Sequence, residues 1–166
     1  LGFPLLIPAL LSAATTLMVF LITRRVFGVV VACVAVLLTA GSPAIGPIGL
    51  SLFSENTSRF LLSIFLYSSI RVFDFASNPS DSPEPFRTRL LFILSAGISL
   101  ALALNTRPLT AGAIGGGIGL LVLVRSVFCQ RFLRDTWRGI LIVPPVALGV
   151  LLFFGWNQTL TGDWKK

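Results

Sequence analysis

Histidine is absent from the 166 residues, and only six residues are acidic. Without an imidazole, this stretch of chain supports no histidine-based triad, no histidine–metal site and no histidine proton relay. Cysteine is almost missing too. Cys33 lies inside an apolar run and Cys129 in a basic stretch, so no disulfide framework is indicated. Charge of either sign is scarce: Asp, Glu, Lys and Arg make up 11% of residues, against about a quarter in a soluble domain. A chain that is 55% hydrophobic, with a mean hydropathy of +0.93, has too little polar surface to cover a water-facing globule. The expectation is an all-α, polytopic transmembrane helical bundle.

Seven apolar stretches are present, near residues 4–23, 26–41, 44–53, 58–73, 90–104, 109–124 and 139–156. A span needs about 20 apolar residues. The 44–53 piece is too short and carries Pro47 and two glycines, so it reads as a loop or broken re-entrant turn. That leaves about six spans in a single transmembrane domain. Between the last two, Arg131, Arg134 and Arg138 fall at helical spacing opposite Phe128, Phe132, Leu133 and Trp137. The pattern predicts an interfacial amphipathic helix near 126–138, its arginines reaching lipid phosphates. The chain opens on Leu1 just before the first span, which suggests a fragment of a longer polytopic protein.

The formal charge of +7 is explained by membrane topology rather than by a nucleic-acid partner. One set of loops holds Arg24, Arg25, Arg71, Arg87, Arg89, Arg125, Arg131, Arg134 and Arg138; the other holds Arg59, Arg107, Lys165 and Lys166. The excess of basic residues makes the first set cytoplasmic. The 42–57 loop, the 105–108 corner and the tail from Asn157 are then exoplasmic. Arg107 therefore stands on the side where basic residues are disfavoured.

Arg107 is a candidate for that reason. Near the bilayer centre a guanidinium costs about 2.5–3.5 kcal/mol, less where it can snorkel from the end of a span. An interfacial anchor explains it; so does an anion site, because the rigid fork of donors suits a phosphate. Pro108 disfavours helix at Arg107 and can itself open the next helix, so "NTRP" predicts a tight corner with polar groups, Asn105 among them, projecting. A second candidate is the stripe Glu55, Arg59, Ser63, Tyr67 and Arg71, recurring every fourth position on an otherwise apolar helix. Capping and an i,i+4 ion pair account for Glu55 and Arg59. The continuation through Ser63 and Tyr67 toward mid-membrane favours the lining of a cavity. Gly112-xxx-Gly116 and Gly115-xxx-Gly119 read as close helix packing, not as a nucleotide loop. Asn56 and Asn157 stand in formal glycosylation acceptors, which chance explains.

In order, "LLSAATTLMVFLITRRVFG", "ACVAVLLTAGSPAI", "LSLFSENTSRFLLSIFLYSSIRVF", "AGISLALALNTRPLTA" and "FFGWNQTLTGDW" resemble the GT-C superfamily of membrane glycosyltransferases. The likeness is to the branch of dolichyl-phosphate-mannose protein mannosyltransferases and the aminoarabinose transferase of lipid A. It implies transfer of a sugar from a polyprenyl-phosphate carrier to an acceptor on the exoplasmic face, with membrane lipids as surroundings. By that likeness Arg107 would grip the carrier phosphate and Glu55 would order the outer cavity. The family's key acid follows its first span, upstream of Leu1. The chain would thus lack that span, the first exoplasmic loop and the general base, and would be inactive alone. No cofactor is identifiable, and a divalent cation is left open. A transporter or permease is the competing reading, since broken helices and polar groups at mid-membrane depth also fit it. A membrane subunit without chemistry is the third.

Overall fold

The computed structural model describes residues 6–42, 54–73, 85–128 and 132–161. Six helices occupy them: α1 (Leu6–Phe27), α2 (Val29–Ala40), α3 (Ser54–Phe73), α4 (Phe86–Thr106), α5 (Pro108–Phe128) and α6 (Phe132–Thr161). No strand occurs among the described residues. The 44–53 piece and most of the 74–89 connector lie outside them, as do Cys129 and Arg131.

Among the described residues, four helices are long and apolar enough to cross a membrane: α1, α4, α5 and the Trp137–Trp156 part of α6. The 12 residues of α2 make a helix of only about 18 Å, short of a bilayer core. At 20 residues α3 has the length, but Glu55, Arg59, Arg71 and its serines lower its hydropathy. It keeps much of its surface inside the bundle, with Asn56, Ser58, Ser68 and Ser69 buried beside Leu62, Phe65, Val72 and Phe73. Lipid-facing character belongs to the others, whose exposed residues include Leu10, Val30, Leu37, Leu109 and Leu151.

The helices pack α2 on α1, α1 on α3, α3 on α4 and α4 on α6, with α5 beside α4 and α6. One cluster joins Leu62, Ala103 and Ala111 where α3, α4 and α5 meet; a second joins Val72, Phe73 and Ile93 at the other end of α3. Small residues set the α4–α6 distance. A Cβ on Gly97 would run into the ring of Pro145, and one on Gly149 into the methyl of Ala101. By contrast, a Cβ on Gly112, Gly116 or Gly119 meets nothing within 4 Å, and one on Gly115 touches only Leu100. Of the glycine pairs read from the sequence as packing motifs, Gly112 and Gly116 meet no other helix of the described residues, Gly115 lies against Leu100 of α4 and Gly119 borders an apolar cavity, so the closest approach is made elsewhere.

The expected helix over 126–138 falls partly outside the described residues, at 129–131. Residues 126–128 finish α5, and from Phe132 the chain runs unbroken through α6. Arg138 does not reach outward. It is 7% exposed and its Nη1 donates to the Val72 carbonyl at 2.9 Å, while Arg125 Nη1 donates to that of Phe73 at 2.8 Å. Both guanidiniums satisfy carbonyls that the end of α3 leaves without helical partners.

Candidate functional site

Arg107 sits between two helices. Its backbone (φ −146°, ψ 82°) is non-helical and closes α4, with its N–H donating to the Ala103 carbonyl at 2.8 Å. Its own carbonyl accepts from Ala111 N–H at 3.0 Å, the opening bond of α5. Pro108 occupies the first position of α5, where a missing N–H costs nothing. The "NTRP" corner thus forms as its local chemistry dictates.

Tertiary packing then brings this corner to the start of α3. Ser58 and Thr106 share a hydroxyl–hydroxyl hydrogen bond of 2.8 Å, and Asn105 Nδ2 reaches the Gly149 carbonyl of α6 at 3.5 Å. Between them Glu55 divides its carboxylate. Oε1 accepts from Arg59 Nη2 at 3.1 Å, and Oε2 lies 3.7 Å from Arg107 Nη2. The second distance exceeds a hydrogen bond, so the Arg107 fork is held in place without being used up. The two arginine side chains are 41% and 40% exposed and Glu55 30%, leaving the group open to a ligand. Two guanidiniums against one carboxylate make it a cationic rim.

Beside this rim lies a cavity of about 430 Å³ between α1, α2, α3 and α5. Arg59 and Ser63 line it, with Asn56, Thr110 and the hydroxyl residues Ser12, Thr15, Thr16 and Thr39. Glu55, Asn105 and Tyr67 are not among its lining residues. Tyr67 instead meets Phe92 edge-on, with centroids 6.0 Å apart, and Arg71 covers the same ring at 5.0 Å. The polar stripe of α3 therefore serves the cavity in its first half and α4 in its second. Asn56 is 5% exposed, which shields it from a glycosylating enzyme. A second cavity of about 510 Å³, between α3, α5 and α6, is lined by Phe65, Phe73, Val122, Ile142 and other mainly apolar residues. It offers hydrocarbon contact and little chemistry.

Sequence reasoning passed over the hydroxyl stripe of α1. Ser12, Thr15, Thr16 and Val19 are spaced so that one helix face presents them together, which was legible in "LLSAATTLMV".

Residues 3–156 match the family described as dolichyl-phosphate-mannose-protein mannosyltransferase. The chain belongs to that family. No curated protein and no solved structure matches significantly. Family and apolar helices together make the chain an integral, multi-pass membrane protein and a membrane glycosyltransferase of the GT-C type.

Proposed function

We propose that the rim formed by Arg107, Arg59 and Glu55 receives the phosphate of a polyprenyl-phosphate sugar donor, on the exoplasmic face. The observation that carries this is the convergence of Arg59 and Arg107 on a single carboxylate at one end of the bundle. The excess of basic residues in the other set of loops supports an exoplasmic position for that end.

The chemistry follows from charge. In transfer, the bond between the anomeric carbon and the phosphate oxygen breaks as the acceptor oxygen bonds that carbon. The acceptor's proton passes to a base, and the carrier leaves as its phosphate, more negative than the ester it came from. A fixed guanidinium binds that developing charge better than the ground state, which accelerates the step. Glu55 directs both oxygens at arginines, so its part is to position them. No described residue is assigned as the base.

The test is Arg107→Ala in the full-length protein, reconstituted in nanodiscs. Charge-assisted hydrogen bonds contribute about 1.5–3 kcal/mol, so affinity for dolichyl-phosphate-mannose should fall about 10- to 100-fold. Thermal unfolding should not move. Unchanged affinity would sink the assignment.

A further inference from the structure

The hydroxyls around the 430 Å³ cavity share a property that decides what they can bind. Thr15 Oγ1 donates to the Leu11 carbonyl at 2.8 Å, Thr16 Oγ1 to Ser12 at 3.0 Å, Thr39 Oγ1 to Ala35 at 2.7 Å and Ser63 Oγ to Arg59 at 2.7 Å. A hydroxyl has one proton to give and two lone pairs to offer. In all four, the proton goes back into the residue's own helix. Their capacity to accept remains, and it lies along a void rather than along a helix contact.

Back-bonding of this kind is also how any hydroxyl makes itself tolerable within an apolar helix. Scattered hydroxyls would need no further explanation. These four come from three helices and line one cavity, and its volume lies within the ordinary range for small-ligand sites. The wall so formed accepts hydrogen bonds. Its fitting occupant brings donors and carries no negative charge of its own.

Arg59 joins this wall to the rim. It lines the cavity while its Nη2 holds Glu55, and Thr110 lines the cavity from the first turn of α5, just past Arg107. A ligand with a phosphate at the rim and a polyhydroxylated ring attached to it would set the ring against the hydroxyl wall. We infer that this cavity is the subsite for the glycosyl unit of the donor, with Thr15, Thr16, Thr39 and Ser63 accepting hydrogen bonds from its hydroxyls. The inference rests on the phosphate assignment for its orientation, but on separate residues.

The experiment compares two probes, dolichyl phosphate and dolichyl-phosphate-mannose, on the full-length protein in nanodiscs. Thr16→Val with Ser63→Ala removes two acceptors with little change in shape. Affinity for the mannosylated carrier should fall about tenfold, and affinity for the bare carrier should hold, which also shows that the variant is folded. Thr16→Ser, which keeps a hydroxyl, should restore most of the loss at that position. Equal losses for both probes, or none for the mannosylated one, overturn the sugar subsite. Arg107→Ala run alongside separates the two assignments, because it should weaken both probes alike. If Arg107→Ala leaves both unchanged, the phosphate reading fails, while a selective loss in the threonine–serine variant would still support the cavity.

Discussion

Glu55 Oε2 lies 3.7 Å from Arg107 Nη2, joining the start of α3 to the corner between α4 and α5. The contact is too long for a direct hydrogen bond and too exposed to add much stability. Its use is electrostatic. The carboxylate lets two guanidiniums stand close together, and under the proposed function an arriving phosphate would displace a weak partner rather than a strong one.

Replacing Glu55 by Gln tests that role. The neutral amide removes the anion between Arg59 and Arg107. Stability should change by less than about 1 kcal/mol, since each member of the group is partly exposed. Sugar transfer should fall because the arginines repel and splay, while affinity for the bare carrier phosphate should hold or rise with the competitor gone. Transfer assays beside carrier titrations check both halves, and full turnover would return Glu55 to the ordinary duty of favouring a helix start.

Arg107→Lys separates charge from shape. Lysine keeps the positive charge but replaces a planar fork with a point charge on a flexible stem. Carrier affinity should fall between the wild-type and alanine values, with transfer more impaired than binding because orientation is lost. A lysine variant indistinguishable from wild type would mean that charge alone matters at the corner.

Much of this site was legible in the sequence, and the parts that were not share a cause. Pro108 and the residues around it determine the corner through backbone sterics that need no neighbour. The Glu55–Arg59 pair follows from i,i+4 spacing. Nothing local brings Glu55 to Arg107; that meeting depends on how α3 packs against α4. The same holds for Arg138. Its helical spacing with Arg131 and Arg134 suggested a lipid-facing row, yet it is buried and bonded to Val72, because the open end of α3 lies within its reach. The glycines mislead similarly. Spacing shows where backbones are able to approach, and only the fold shows that Gly97 and Gly149 are where they do.

That distinction predicts opposite signs for two alanine substitutions. At Gly149 the new methyl would collide with Ala101, and overpacking of this kind costs about 1–3 kcal/mol, more than the gain in helix propensity. At Gly116 it would meet nothing within 4 Å, leaving a gain of up to about 1 kcal/mol from propensity alone. Melting temperatures in detergent should therefore fall for Gly149→Ala and hold or rise for Gly116→Ala. The reverse order would mean that α4 and α6 do not approach as described.

Arg138 offers the sharpest contrast with Arg107. Its guanidinium is buried and donates to the Val72 carbonyl, and Arg125 donates to that of Phe73, so α3 ends against two cations that also complement its dipole. Arg138→Met keeps much of the side-chain volume and removes the donors. Loss of a buried charged hydrogen bond should lower stability by about 1.5–3 kcal/mol. Carrier affinity should stay the same in the molecules that remain folded, because Val72 and Glu55 stand at opposite ends of α3. Arg107→Ala should give the mirror image, with affinity lost and stability kept. Melting curves and carrier titrations on both variants decide the matter: if Arg138→Met weakened binding without lowering the melting temperature, the cationic group at the far end of α3 would have to be reassigned from holding the fold to holding the ligand.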